Sequence, residues 1–170
     1  MREAKVEPPR ARAAKVEPPT GDHLRAIGQI TANFAVLELV VSLSAWSLIG
    51  SDQTLGQIIT AELSFRKLLD LLSNLYRLRV NHPQLTEELD GLIAQAAQAE
   101  EKRNVITHSY WAAGDTHETS TRVKMTAKRY KGLKHRSEPM SVEALNEIAD
   151  FIAAAEHHIT QFMVRTGIFR

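Results

Sequence analysis

The spacing of the large apolar residues is the feature that most limits how this chain can fold. From Asp22 to Gly50 they recur at intervals of three and four residues, which places them on one face of an α-helix. Asp22 is a suitable N-cap for this helix and Gly50 a suitable C-terminal stop. Similar patterns predict three further helices: from about Thr54 to Val80, from Pro83 or Thr86 to just before Gly114, and from a Ser141 N-cap to about Arg165. The sequence therefore predicts an all-α fold, an antiparallel bundle of about four long helices in which the first two form a hairpin.

The periodicity changes between the third and fourth predicted helices. Short alternating runs flank a polar, glycine-containing turn, so we expect a small β-hairpin inserted before the last helix. The segment from Arg122 to Arg136 holds seven Lys or Arg and no Asp or Glu. Such a run is typical of a solvated loop, and it is also what a nucleic-acid backbone attracts. The candidate RNA-binding residues are Arg122, Lys124, Lys128, Arg129, Lys131 and Lys134.

Composition limits the domain count and the possible chemistry. A chain of 170 residues suits one domain. The hexapeptide AKVEPP occurs at 4–9 and again at 14–19, and its prolines and charges predict a disordered tail over residues 1–21 before a single domain over 22–170. The absence of cysteine excludes disulfides, thiolate catalysis and cysteine-containing zinc sites. We expect neither a metal nor a cofactor.

Charge and hydropathy bear on location. With 21 Lys+Arg against 20 Asp+Glu the net charge of +1 predicts no partner by itself. The N-terminus lacks the apolar run of a signal peptide. The most apolar segment, Phe34 to Gly50, contains Glu38 and is shorter than the ~18–20 residues that cross a bilayer. We interpret it as a core or interface helix and expect a cytoplasmic protein with no membrane partner.

The segment EKRNVITHSYW, residues 101–111, concentrates polar groups near the end of the third predicted helix. Asn104 and His108 lie on one helix face, whereas Arg103 lies about 140° from His108 on an apolar seam. An unpaired guanidinium is costly to bury, so Arg103 should meet a carboxylate, reach a surface or face a second chain. Glu100 and Glu38 are the candidate acids. Either Arg103 forms a structural pair with Glu100, or the segment is half of a functional site.

The same residues resemble a known signature. RNVITH, from Arg103 to His108, resembles the motif of the HEPN superfamily (higher eukaryotes and prokaryotes nucleotide-binding domain), in which arginine, a polar residue and histidine occur late in a helical domain. With Tyr110 it also resembles the form found in HEPN toxins that are paired with minimal nucleotidyltransferase antitoxins. This second resemblance implies an antitoxin partner, a role as a toxin or in phage defence, and modification of Tyr110, for which aromatic packing beside Trp111 is the alternative.

The HEPN resemblance implies a chemical role for each motif residue. His108 would be the general acid/base of a metal-independent endoribonuclease, Arg103 would stabilise the phosphate, and Asn104 would orient it. Because one motif supplies one histidine, the resemblance implies a homodimer with a composite cleft. Two alternatives stay open: a non-catalytic HEPN-like helical dimer that binds a protein or nucleotide, and a nucleic-acid-binding protein that works through the basic hairpin.

Overall fold

The structure, a computed structural model, describes residues 17–50, 53–116, 118–128 and 132–169, with the backbone alone at 125–128 and 132–135. The predicted tail over 1–21 therefore lies mainly outside the described residues. Its last part is extended, and the carbonyl of Glu17 accepts a hydrogen bond of 2.9 Å from the backbone N–H of Ala113. The described chain thus includes residues 17–21, which precede the predicted start of the domain at Asp22.

The described residues are mostly helical, with five helices and one small antiparallel sheet, which confirms the helical class and adds a third strand to the predicted hairpin. The elements in chain order are α1 (Gly21–Ile49), α2 (Gln53–Thr60), α3 (Phe65–Arg79), α4 (Pro83–Thr107), β1 (Tyr110–Ala113), β2 (Thr119–Lys128), β3 (Gly132–Ser141) and α5 (Val142–Arg165).

Helix α1 begins one residue before the predicted N-cap. Thr20 caps it, since its hydroxyl accepts from the backbone N–H of His23, and Gly50 ends it as predicted. His23 is fully buried and hydrogen-bonds both the Thr20 hydroxyl at 2.6 Å and the carbonyl of Met140 at 3.1 Å. These bonds attach the start of α1 to the end of β3.

The single helix predicted from Thr54 to Val80 is wrong, because the chain breaks between α2 and α3. The Ser64 hydroxyl accepts from the backbone N–H of Lys67 and caps α3, so a new helix begins after Ser64. Helix α2 folds back on α1, where Trp46 Nε1 donates to the Thr60 hydroxyl at 2.8 Å.

Because α2 folds back on α1, helix α3 does not run in the direction that the predicted hairpin requires. The Phe34 and Phe65 rings lie 4.9 Å apart near the start of α3, and Arg79 Nε donates to the carbonyl of Leu48 at 3.1 Å near its end. Helices α1 and α3 therefore run parallel, which corrects the antiparallel prediction for this pair. Helix α4 runs antiparallel to α3, since Arg66 meets Glu101 at 3.2 Å and Arg77 pairs with Asp90 farther along.

Helix α5 starts at the predicted Ser141 cap and ends at the predicted Arg165. It is antiparallel to α4, where Arg165 bonds Glu88 at 2.5 Å and His158 bonds Gln95 at 3.1 Å. The buried apolar side chains of α1, α3, α4 and α5 form one core. Among the described residues, α1 is the one helix long and apolar enough to cross a membrane by length and composition, with 39% of its most apolar window buried in the protein.

The sheet has the order β1-β2-β3. Strand β1 comes from residues that the sequence assigned to the end of the third helix. It pairs with the first part of β2, from Tyr110 opposite Val123 to Ala113 opposite Ser120. Beyond Val123, β2 pairs with β3 alone, down to Lys128 opposite Gly132. The basic segment therefore forms a two-stranded ribbon that extends past β1.

Candidate functional site

The last turn of α4 carries the motif. Arg103 and Asn104 are within the helix, and His108 is its C-cap, with its backbone N–H bonded to the carbonyl of Asn104 at 3.2 Å. A β-strand begins two residues later, and in it the Trp111 ring turns back and donates from Nε1 to the carbonyl of Ile106 at 3.0 Å. The motif thus lies at the junction between the helices and the sheet.

Arg103 lies against a ring of its own chain. Its guanidinium carbon is 4.0 Å from the centroid of Phe34 on α1, within the range of a cation–π interaction. Its Nε is buried and has no hydrogen-bond partner among the described residues. The sequence placed Arg103 on an apolar seam of its helix. The residue that packs against Arg103 on this seam is Phe34 of the same chain.

The acids proposed for Arg103 are engaged elsewhere or have no ion pair with it. Arg66 on α3 lies 3.9 Å from the carboxylate of Glu100, whose side chain is largely buried, and 3.2 Å from that of Glu101. Within the described ranges no ion pair joins Arg103 to Glu100 or Glu38. The predicted pair between Arg103 and Glu100 is therefore wrong, and within the described part of the chain no carboxylate forms an ion pair with Arg103.

Asn104 and His108 keep the helix relationship that the sequence predicts, with His108 exposed and Asn104 partly buried. In the part of the chain that the structure describes, no hydrogen bond connects their side chains to each other or to Arg103. His108 is five positions after Arg103, a rise of about 7.5 Å along a helix. Within the described residues the two side chains thus make no direct contact, and Arg103 is partly buried whereas His108 is exposed.

The structure places Arg122 differently from the prediction. Its side chain is 8% exposed, pairs with Glu138 at 2.5 Å and donates to the Ser109 hydroxyl at 3.1 Å. The hydrogen bond and charge of Arg122 hold the pKa of Glu138 below its usual value. Arg122 therefore fixes β2 to β3 and to the end of α4, and as a free cation for RNA it is a wrong assignment.

The remaining basic candidates that the structure describes belong to the ribbon. Lys124 is exposed and lies opposite Arg136, also exposed, so two cations are adjacent across the strands. Lys128 and Lys134 occupy backbone positions in β2 and β3, while Arg129 and Lys131 lie outside the described residues. Like charges directly opposite each other destabilise a sheet unless an anion lies between them.

Two more features adjoin the motif. Tyr110 is 53% exposed. It alternates with Trp111 along β1, so the two side chains leave opposite faces of the strand and the predicted packing of Tyr110 beside Trp111 is wrong. A cavity of about 280 Å³ lies between α4, the sheet and α5, next to Lys102, Val105 and Arg122. It is on a different side of α4 from the Arg103 ring contact.

The sequence did not identify Phe34 and Arg66 as neighbours of the motif. Phe34 carried a signal only as one member of the apolar pattern of α1, and nothing local relates it to Arg103. Comparison of the chain with protein-family models, curated proteins and solved structures finds no match. The resemblance to the HEPN superfamily therefore rests on the motif and its place in a helical fold.

Proposed function

We propose that this protein is a metal-independent endoribonuclease of the HEPN type that acts as a homodimer in the cytoplasm, in phage defence or as a toxin with an antitoxin partner. His108 serves as general acid/base, Arg103 binds the scissile phosphate, and Asn104 orients it. In this proposal α1, α3, α4 and α5 form a four-helix bundle with the motif at one end.

The main support for the proposal is the set of charged and aromatic groups that surround Arg103. Arg66 engages Glu100, the acid one helical turn before Arg103, and Phe34 contacts Arg103 without neutralising it. Among the described residues no carboxylate pairs with this guanidinium and no acceptor meets its buried Nε, and a cation in that condition favours an anionic ligand. A phosphate diester supplies such an anion and accepts several hydrogen bonds.

The chemistry follows from the side chains. The neutral imidazole of His108 removes the proton from a ribose 2′-hydroxyl, the oxygen attacks the adjacent phosphorus, and the 5′-oxygen leaves with a proton. The guanidinium of Arg103 stabilises the negative charge that grows on the phosphoryl oxygens. A 2′,3′-cyclic phosphate and a 5′-hydroxyl result. Because His108 is one group for two proton transfers, the second copy supplies the other histidine.

Cleavage in EDTA tests the proposal. Purified protein is incubated with tRNA or total RNA beside His108→Ala and Arg103→Ala. The matched controls are His157→Ala and Arg25→Ala, exposed residues on α5 and α1. We expect cleavage in the wild type and both controls, a loss of at least a hundredfold in the two motif variants, and cyclic phosphate ends. Unchanged cleavage by His108→Ala would exclude the mechanism.

The contact between Arg103 and Phe34 favours one alternative, a non-catalytic HEPN-like helical dimer that binds a protein or nucleic acid. In that case Arg103 is a packing residue: Arg103→Ala lowers the melting temperature, and no RNA is cut by any variant. Binding through Lys124 and the rest of the ribbon would be recognised by an affinity that falls steeply with salt and does not change in His108→Ala.

A further inference from the structure

Helix α1 has a second apolar face, on the side away from the core. Val36 and Leu39 are 50% and 51% exposed, and Ala32 and Ala35 are exposed beside them. Leu43 is partly buried on the same stripe. From Gln29 to Ile49 the helix contains one ionisable residue, Glu38. The outer apolar stripe is flanked by the polar residues Thr31 and Glu38, and an apolar stripe on a helix is normally covered by another element.

The opposite face of α1 supplies ten of the buried residues of the fold, among them Ile30, Phe34, Leu37 and Val41. Transfer of α1 into a bilayer would remove these side chains from the core. A partner that covers the outer face and leaves the core intact is therefore favoured over a lipid environment.

We propose that a second copy of this chain covers this face, with the two α1 helices packed antiparallel about a two-fold axis between Ala35 and Val36. Antiparallel pairing places residue i of one copy opposite residue 71 − i of the other. Small and large residues then alternate across the seam: Gly28 faces Leu43, Ala32 faces Leu39, and Ala35 faces Val36. Each large side chain meets a small one, the complementarity that an isologous helix contact requires.

The size of the surface fits a dimer of modest affinity. The stripe from Gly28 to Trp46 is about 27 Å long and a helix is about 10–12 Å wide, which gives roughly 300 Å². Ile58 and Ile59 on α2 are 69% and 44% exposed beside the end of this stripe. With α2 the footprint reaches about 450 Å² per copy, or roughly 900 Å² in total, which is below the range of about 1,200–2,000 Å² of stable interfaces and corresponds to a weak, transient one. We therefore expect a dimer that dissociates in the micromolar range.

This arrangement also relates the two copies of Arg103, and in that respect it rests on the proposed function. Phe34, which holds Arg103, is about 140° from Leu39 around α1. A two-fold axis normal to the plane of the two α1 helices does not exchange the two sides of that plane. Both copies of Arg103 therefore lie on the same side of that plane, each on the core side of its own α1 helix and away from the seam.

Sedimentation at several concentrations tests the interface. We expect wild-type protein to be dimeric at about 50 µM, near the saturating range for micromolar affinity, and Leu39→Glu to be monomeric. The matched control, Leu78→Glu, changes a leucine that is 77% exposed on α3 and should remain dimeric. A monomeric wild type, or a dimer that Leu39→Glu leaves intact, would overturn the proposal. So would binding of monomeric wild type to vesicles of zwitterionic lipid that is lost in Leu39→Glu.

Cysteine pairs test the register, because the chain contains no cysteine. A mixture of Ala32→Cys and Leu39→Cys protein should form a disulfide-linked dimer under mild oxidation, while each variant alone should not. Within one chain these positions are about 10.5 Å apart along the helix, too far for a disulfide. The control mixture is Lys67→Cys with Asn74→Cys, an exposed pair of the same spacing on α3. Cross-linking of Ala32→Cys alone indicates parallel pairing and overturns the model.

The outcome is separable from that of the proposed function. If the dimer and its register are found but RNA is not cut, the interface stands and the ribonuclease proposal fails. If RNA is cut by a monomer, the interface fails and the catalytic proposal must do without a second copy.

Discussion

A double-mutant cycle between Arg103 and Phe34 gives the sharpest test of the site geometry. The variants are Arg103→Met, which keeps an apolar stem and removes the charge, Phe34→Leu, which keeps volume and removes the ring face, and both together. The guanidinium carbon is 4.0 Å from the ring centroid and the Nε is buried. A desolvated cation–π contact of this kind couples the two side chains by about 1–2 kcal/mol.

The single variant Arg103→Met would be misleading. Loss of the contact with Phe34 destabilises the fold, whereas removal of a buried donor without an acceptor offsets about 1 kcal/mol of that loss. The net change is therefore expected to be small. The cycle removes the second effect, because it occurs in both Arg103 variants and cancels in the coupling energy.

Urea unfolding followed by circular dichroism, at one fixed protein concentration, measures the coupling. The concentration must be fixed because dimerisation adds to the apparent stability. The comparison cycle pairs Arg103→Met with Glu100→Gln, for which we expect less than about 0.5 kcal/mol, the usual error of additivity. A coupling of Arg103 to Glu100 larger than its coupling to Phe34 would refute the claim that Arg103 lacks a carboxylate partner.

Three further predictions concern the parts of the fold that position the site. Arg122 lowers the pKa of Glu138, so the ion pair should stabilise the fold at pH values above the ordinary carboxylate pKa. The difference in unfolding free energy between wild type and Glu138→Gln should therefore be largest near neutral pH. It should vanish as the pH falls through the lowered pKa of Glu138. Gly56→Ala should destabilise the protein by about 1–3 kcal/mol although alanine favours helix, because its Cβ would lie 2.6 Å from Trp46, and tryptophan fluorescence should shift. Ser64→Ala should cost about 1 kcal/mol in urea unfolding while Ser64→Asp retains the cap, and equal losses in both would contradict the capping role.

Local signals in the sequence predicted the helix ends that depend on local bonds. The Ser141 hydroxyl caps α5 through an N–H three residues away, and Gly50 ends α1 with its own backbone N–H. Ser64 gave the same kind of signal, but the apolar spacing continued through it and the break was not predicted. Strand β1 was assigned to a helix because its structure depends on pairing with residues 120–123, which local periodicity does not report.

In the candidate site, too, the sequence predicted what depends on neighbouring residues and did not predict what depends on distant ones. The helix repeat correctly separated Arg103 from Asn104 and His108, since that depends on neighbours in α4 alone. The partner of Arg103 lies 69 positions away, at Phe34, and the partner of Arg122 lies at Glu138 on another strand. Residue type and spacing do not select among such distant partners. Arg122 therefore seemed to be one of several surface cations, although the fold buries it.

The position of Phe34 changes the reason for expecting two copies of the chain. An arginine on an apolar seam suggests a second helix opposite it, but here the seam is closed by a ring of the same chain. The requirement for a dimer then rests on two independent facts: one motif histidine for two proton transfers, and an outer face of α1 whose large and small residues are complementary about one centre. The first fact concerns chemistry and the second concerns packing. A Leu39→Glu protein that is folded, monomeric and unable to cut RNA would show that catalysis requires the α1 interface. A folded, monomeric Leu39→Glu protein that still cuts RNA would show that catalysis does not depend on this interface.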